Sequence, residues 1–234
     1  MSKKECILYI IFVSLFFVGL LVYASGEAKC PKDMILVQDT CIDIYEAPNK
    51  KGSFPLVMYS LLESENWCRE KEKRLCYDYE WEEACMSRRK LLWAYGDKYK
   101  KGTCNDSKIW RKYSKKAHAL WPDEASSRYV DSLEEQFAIT EKYSEQSAKD
   151  IRHLYQADPS GSNEGCSSLG VYDLLGNVEE WVVKTKKRRK NFSGTLKGRF
   201  WSEPRNCKQS VTNHGDSFRF YETGFRCCKD PFWR

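Results

Sequence analysis

The segment Gly170–Val182 reads GVYDLLGNVEEWV and mixes apolar and polar residues without a regular period. Most positions are apolar, as in a core segment, but acids, a glycine and an asparagine interrupt them at neither the helical nor the strand repeat. Taken alone, the pattern predicts a turn capped by Asp173, solvent-facing glutamates at positions 179 and 180, and a core residue, Trp181. In the alternative interpretation, the acids have a structural role inside the fold.

Residues 1–28 differ in composition from the rest of the chain. The charged MSKKE precedes the apolar run CILYIIFVSLFFVGLLVY, and ASGEA follows with Val22 and Ala24 at the −3 and −1 positions of a cleavage site. This order predicts a signal peptide, or a signal anchor if it is not cleaved. Ile7–Tyr23 lies at the short end of a membrane span, so both alternatives stay open. We therefore expect an exported protein, either periplasmic, on the cell surface or extracellular, that meets a membrane only through an uncleaved leader.

Export determines how the cysteines are interpreted. Of the eleven cysteines, Cys6 alone lies in the leader, and an even number therefore follows it. An even number in an oxidising compartment predicts a disulfide framework. Zinc is the competing interpretation, but the exported part has no CxxC pair and its three histidines are scattered.

The first exported residues predict a disulfide-closed hairpin and a strand. Cys30 and Cys41 flank the short apolar run Met34–Val37 and a turn signal, which favours a β-hairpin closed by its own disulfide. Residues 42–45 then predict an edge-type strand that stops at Pro48, because proline cannot donate a hydrogen bond within a sheet.

Two helices and several short strands are expected further along. One helix lies within Leu61–Lys73, and a second begins with an N-cap at Asp78 and carries Trp81 and Cys85 on one face. TLKGRFW and FRFYETGFRCC predict further short strands. Together these elements indicate an α+β fold with little regular secondary structure.

The segment Asp106–Asp158 is polar and highly charged, and it holds one expected helix around Ser132–Leu154. It has too few apolar residues for a core of its own, so we interpret it as an insertion in a single domain that spans residues 29–234. The basic run Lys184–Lys190 is typical of a solvated loop. Because the chain has no nucleic-acid-binding motif and is expected to be exported, we predict no nucleic-acid partner.

Five motifs occur along the exported part in a characteristic order. Together they resemble the formylglycine-generating enzyme family, also called the sulfatase-modifying factor family. The resemblance runs from about Cys30 to Cys228, apart from Asp106–Asp158, and it implies a C-type-lectin-like fold. The motifs are CIDIYEAPN, WCREKEKRLCYDYEWEEAC, WAYGDKY with the later CN, GVYDLLGNVEEWV, and LKGRFW with CK and TGFRCC.

The resemblance also implies a task for the acids in Gly170–Val182, because this segment of the family wraps a calcium ion. The implied ligands are the Asp173 side chain, the Gly176 and Val178 carbonyls and the Glu180 carboxylate, which are the hard oxygen ligands that calcium takes. Asn105 stands near the position of a ligand to a second calcium in the family.

The family further implies pairings for the cysteines. It implies Cys68–Cys227 and Cys85–Cys207, in addition to the Cys30–Cys41 pair that local spacing favours. The pairs that then remain are Cys104–Cys166 and Cys76–Cys228.

Catalytic members of the family oxidise a substrate cysteine with copper held by two thiolates, which are soft ligands suited to Cu(I). The corresponding stretch here, KGRFWSEPRNC from Lys197 to Cys207, contains a single cysteine, and that cysteine matches the structural one of the family. Arg199 also stands where the family has a glycine. Copper is therefore not expected, and no catalytic residue is assigned. Asp43 and Glu46 are interpreted as structural, and His214 as a polar loop residue.

Two classes of function follow from the resemblance. The first is a non-catalytic, calcium-stabilised envelope module that binds or scaffolds an unidentified protein, peptide or glycan. The second is an oxidoreductase that modifies a cysteine-bearing protein or small-molecule partner. The missing thiol pair favours the first class.

Overall fold

The computed structural model describes residues 27–127, 129–186 and 192–233. The expected leader up to residue 26 and residues 187–190 of the basic run lie outside these ranges, so the structure does not bear on either prediction. Within the described ranges, no helix combines the length and the apolar composition needed to cross a membrane.

One four-stranded antiparallel sheet contains the expected hairpin. Its strands are, in spatial order, β2 (Met34–Val37), β3 (Thr40–Asp43), β11 (Cys227–Lys229) and β4 (Arg74–Leu75). The prediction of an edge strand that runs to Pro48 was wrong, because β3 has neighbours on both sides and ends at Asp43. Beyond that point the carbonyls of Asp43 and Ile44 accept hydrogen bonds from the Arg226 guanidinium, and the Ile44 carbonyl also accepts the Tyr172 N–H at 2.9 Å.

The second four-stranded sheet contains the end of the Gly170–Val182 segment as an inner strand. Its order is β10 (Thr223–Phe225), β7 (Glu179–Val183), β8 (Gly194–Lys197) and β9 (Ser210–Val211). The β7–β10 pair is parallel, and the other pairs are antiparallel. Two short pairs complete the strands described, β1 (Ala28–Lys29) with β12 (Phe232–Trp233) and β5 (Ser167–Ser168) with β6 (Val171–Tyr172).

Helices α1 (Leu61–Glu70) and α2 (Asp78–Met86) form where the sequence predicts them. Ser60 and Glu63 form a capping box at the start of α1, which satisfies backbone donors that a helix terminus leaves free. The expected N-cap at Asp78 was wrong by one residue. Tyr77 occupies that position, and its backbone N–H donates to the Glu80 carboxylate at 2.8 Å.

Four helices lie within the inserted segment: α3 (Lys115–Ala119), α4 (Glu124–Ser127), α5 (Leu133–Tyr143) and α6 (Glu145–Leu154). The prediction of one helix over Ser132–Leu154 was wrong, because the backbone of Ser144 is extended and its hydroxyl caps α6 by accepting from the Ser147 N–H. The insertion also contains more helix than predicted. Its few apolar residues cluster on inward faces and pack against the rest of the domain in one core cluster that includes Trp121, Phe137, Ile151, Val57, Met58 and Trp201.

The ten cysteines that follow residue 28 form five disulfides, and these are the five pairs named from the sequence. Four of them join segments that are more than 60 residues apart in sequence, and each such link removes conformational freedom from the unfolded chain. The pairs are Cys30–Cys41, Cys68–Cys227, Cys76–Cys228, Cys85–Cys207 and Cys104–Cys166.

Candidate functional site

The loop between β6 and β7 turns sharply and is fixed to the insertion. Asp173, Gly176 and Asn177 all have left-handed backbones, with φ of 55°, 72° and 56°. A Cβ on Gly176 would lie 2.3 Å from the Asn105 carbonyl oxygen, so only glycine fits at this position. The Asn177 N–H donates to the same carbonyl at 2.7 Å. The two residues expected near the calcium sites, Gly176 and Asn105, therefore lie in direct contact.

Glu180 is fully buried and pairs with a buried arginine. The Nε and Nη2 atoms of Arg226 each donate to one Glu180 carboxylate oxygen at 2.7 Å, and the Trp81 indole N–H donates to the same carboxylate at 2.8 Å. The remaining guanidinium donors contact the carbonyls of Tyr172, Asp43 and Ile44. Arg226 thus joins three chain segments, and Glu180 is buried, whereas the pattern taken alone had predicted that it faces solvent.

Two further buried carboxyl groups surround this ion pair. Glu46 accepts hydrogen bonds from Ser160 at 2.6 Å and from the Asn177 amide at 2.8 Å. Asp173 accepts one from the Gly161 N–H at 2.6 Å through Oδ2, while its Oδ1 is buried without a hydrogen-bond partner. Burial raises the pKa of Glu46 well above its ordinary value and that of Asp173 to about 6, although Arg226 opposes both shifts.

The carboxyl groups of this region are oxygen donors of the type that a hard cation binds. When ionised, Glu46, Asp173 and Glu180 carry more negative charge than Arg226 neutralises, and Oδ1 of Asp173 is a free oxygen of the type that calcium binds. Glu180 already shares its carboxylate with Arg226. No three acidic, histidine or cysteine side chains converge on one point in the described parts of the chain. A calcium ion here would depend on the Gly176 and Val178 carbonyls, as the family pattern implies.

The side-chain amide nitrogen of Asn105 makes two hydrogen bonds. Its Nδ2 donates to the Gln156 carbonyl at 3.2 Å and to the Asn177 side-chain oxygen at 2.9 Å. These bonds join the beginning of the insertion to its end and to the loop. The Asn105 side chain is therefore part of a polar network, but these bonds use its amide nitrogen, whereas a calcium ion would bind an oxygen.

The stretch Lys197–Cys207 packs against the same loop. Gly198 and Arg199 have left-handed backbones, and the Gly198 carbonyl accepts the Gly176 N–H at 3.0 Å. Lys197 is buried and donates to Glu82 at 2.8 Å. Cys207, at the end of the stretch, is bonded to Cys85 of α2.

The insertion covers this stretch. Trp201 is fully buried, its ring packs against Tyr155 with centroids 5.6 Å apart, and its carbonyl accepts the Lys108 N–H at 2.7 Å. The Tyr221 hydroxyl donates to the Arg111 carbonyl at 3.3 Å. Helices of the insertion and its entry segment therefore close over the turn that follows β8.

Beside this turn lies a second pair of buried acids, Glu179 and Glu222, which the sequence did not single out. The Glu179 N–H donates to the Glu222 carbonyl at 2.8 Å, and the Glu222 carboxylate accepts from the Trp110 indole. Burial raises the pKa of Glu179 to about 7 and that of Glu222 to about 8, with Arg199 opposing both shifts. Taken alone, the sequence pattern placed Glu179 in solvent, and only the parallel pairing of β7 with β10 reveals its burial.

The other acids and the histidine discussed above make structural contacts. Asp43 is fully buried, forms an ion pair with Lys73 at 2.6 Å, and accepts the Cys227 N–H at 3.1 Å. Burial nonetheless raises the pKa of Asp43 to about 6. The His214 ring stacks on Phe218 with centroids 3.7 Å apart.

Comparison with known families agrees with this architecture. The family model for the sulfatase-modifying factor enzyme 1-like domain matches residues 37–231. The chain belongs to this family. Membership confirms the expected fold class, an α+β formylglycine-generating-enzyme fold of the C-type-lectin type, stapled here by disulfides.

Among solved structures, this chain is similar to that of PvdO from Pseudomonas aeruginosa. It is 16% identical to this chain, the match covers 91% of this chain and 76% of that chain, and the TM-score is 0.44. Among curated protein sequences, none matches this chain significantly.

Proposed function

We propose that this family member is an exported, disulfide-stapled binding or scaffold module that does not oxidise cysteine to formylglycine. The observation that carries the proposal is the Cys85–Cys207 disulfide. A Cu(I) site of the family type needs two thiolates, and the only cysteine of the stretch Lys197–Cys207 has its sulfur in a disulfide. A sulfur in a disulfide is not a thiolate ligand.

The packing around the same stretch supports a binding role over catalysis. Arg199 stands where the family has a glycine, and the insertion seals Trp201 from solvent. A substrate peptide would have to displace the contacts of Trp201 with Tyr155 and Lys108 before it reached this turn. In this proposal a protein, peptide or glycan partner binds to loops at the rim of the domain.

Calcium is proposed as a structural ion of the β6–β7 loop. Asp173 through its free Oδ1, the Gly176 and Val178 carbonyls and the Glu180 carboxylate would hold it. When bound, the ion would supply positive charge to a region in which buried carboxyl groups outnumber the single arginine.

Export rests on two properties of the chain. Residues 1–28 have the composition of a signal peptide or signal anchor, and five disulfides suit a periplasmic, cell-surface or extracellular location.

The decisive experiment measures oxygen consumption by the purified, oxidised protein with Cu(I) and a cysteine-containing peptide. We expect no peptide-dependent consumption above background, no aldehyde product and no copper that survives gel filtration. A matched reaction with the cysteine peptide and Cu(I) but without protein sets the background, because copper alone catalyses the oxidation of thiols by oxygen. Consumption above this background together with an aldehyde product would replace this proposal with the oxidoreductase alternative.

A further inference from the structure

Glu179 and Glu222 lie side by side at the start of two paired strands. Glu179 is the first residue of β7, and Glu222 directly precedes β10, its parallel neighbour. The Glu179 side chain is 4% exposed, and Glu222 as a residue is 6% exposed. Two carboxyl groups are thus brought together at the edge of the core, with the Arg199 guanidinium near both of them.

Arg199 does not supply all the hydrogen bonds that the carboxyl groups of Glu179 and Glu222 can accept. Nη1 of Arg199 lies 3.7 Å from Oε1 of Glu179, which is beyond hydrogen-bond distance, and Oε1 is buried without a hydrogen-bond partner. Nε and Nη2 of Arg199 instead donate to Glu203 at 3.0 and 2.6 Å. A buried carboxylate oxygen without a hydrogen-bond donor is unfavourable, so a donor brought by a ligand would stabilise it.

Trp110 connects the pair to the surface. Its indole N–H donates to Glu222, while the residue itself is 40% exposed. Ile109, its neighbour in sequence, is 88% exposed. A ligand that reaches the two acids from solvent would therefore meet an aromatic ring whose face attracts cations.

We propose that Glu179, Glu222 and Trp110 form a binding site for a primary ammonium group, such as the lysine side chain of a protein or peptide partner. Such a group supplies the donor that Oε1 of Glu179 lacks and the positive charge that two carboxylates require, and its methylene chain packs on the indole. The inference rests on the proposed binding role and names the chemistry of its ligand.

The test is an NMR titration of protein with 15N-labelled tryptophan. The Trp110 indole N–H signal is assigned by its loss in Trp110→Phe, and the probe is the blocked tripeptide acetyl-Gly-Lys-Gly-amide. The titration is run above the pKa of about 8 that Glu222 has in the folded protein. We expect a saturable shift of the Trp110 signal and an affinity at least about tenfold weaker for the same tripeptide with uncharged norleucine in place of lysine.

Variants distinguish the site from general attraction to a surface. Glu222→Gln and Glu179→Gln should each weaken binding of the lysine tripeptide about tenfold, while Glu141→Gln, which removes an exposed carboxylate of α5, should leave it unchanged. Should Glu179→Gln fold poorly, Glu222→Gln carries the test by itself.

Equal binding of the two tripeptides, a shift that Glu222→Gln does not change, or no saturable shift at millimolar peptide would overturn the proposal. So would saturable binding of a neutral oligosaccharide at the same signal with the lysine tripeptide inactive. None of these outcomes alters the oxygen-consumption result, so a failure of this site and a failure of the proposed non-catalytic role are told apart.

Discussion

Arg226 and Glu180 form a bidentate ion pair, with two 2.7 Å hydrogen bonds, in a region from which solvent is excluded. The pair exists because β7 and β10 run parallel in register, with Gly224 opposite Glu180, so that Arg226 lies just beyond it. The guanidinium then binds carbonyls of Asp43 and Tyr172 from two other segments. One charge pair therefore connects the last strands of the chain to the Gly170–Val182 segment.

Removing one partner of this pair should destabilise the protein strongly. Glu180→Gln leaves a buried guanidinium without its counter-charge, and breaking buried pairs in this way costs about 3 to 5 kcal/mol. The free energy of unfolding from denaturant titration provides the measurement. Glu72→Gln is the matched control, because the Glu72–Lys229 pair is exposed and is expected to contribute at most about 1 kcal/mol. Equal effects of the two substitutions would contradict the central role of Arg226.

Calcium should stabilise the chain through Asp173. If the ion binds the folded form alone, calcium at about 100 times its Kd adds about 2.7 kcal/mol to the free energy of unfolding, which appears as a rise in Tm. Asp173→Asn removes the carboxylate with the free oxygen and should abolish that rise. Asp131→Asn, which alters a half-exposed carboxylate on the surface, should retain it. A wild-type Tm that is the same in calcium and in EDTA would refute the calcium proposal.

The Cys85–Cys207 disulfide should contribute stability and no redox chemistry. It joins residues 122 apart, for which the chain-entropy account gives a stabilisation of about 4 to 5 kcal/mol, while Cys30–Cys41 spans 11 residues and should contribute about 3 kcal/mol or less. The double variants with alanine at both cysteines of each pair test this order by denaturant titration. The single variant Cys85→Ala frees Cys207, and we expect it to consume no oxygen with a cysteine peptide, because one thiolate cannot form the pair.

The sequence predicted the family and the location of α1, α2 and the hairpin, because each rests on local patterns. It could not predict the burial of Glu179 or the importance of Glu222, because both depend on the parallel pairing of strands about 40 residues apart. The insertion was misjudged for a related reason. Few of its residues are apolar, but Phe137 and Ile151 fall on helix faces that meet Trp121 and Met58, so the core is completed by other segments.

The pH dependence of the free energy of unfolding should reveal the protonation of Glu222. Burial raises its pKa from the ordinary 4.5 to about 8, so the folded state holds a proton that the unfolded state has lost. The resulting stabilisation is complete below about pH 4.5 and disappears as the pH rises through about 8, with a slope that approaches 1.4 kcal/mol per pH unit for one proton.

Glu222→Gln should flatten this fall in the free energy of unfolding between about pH 5 and pH 8, measured by denaturant titration at several pH values. Part of the fall should persist in the variant, because burial also raises the pKa of Glu179 and of Asp43. Glu141→Gln, with an exposed carboxylate, should keep the wild-type profile. A variant profile as steep as that of the wild type would show that Glu222 does not hold this proton.

The insertion should unfold together with the rest of the domain. Ile151 of α6 is fully buried in the cluster that contains Met58 and Trp201, so Ile151→Ala leaves a cavity in a shared core and should cost about 2 to 5 kcal/mol. Ile109→Ala, at a side chain that is 88% exposed, should change the free energy of unfolding by less than about 0.5 kcal/mol. Tryptophan fluorescence and far-ultraviolet circular dichroism should give one coincident transition for both variants. An early, separate transition in Ile151→Ala would contradict this prediction, because it would mean that the insertion folds as an independent unit. Trp201 would then be covered only by local contacts.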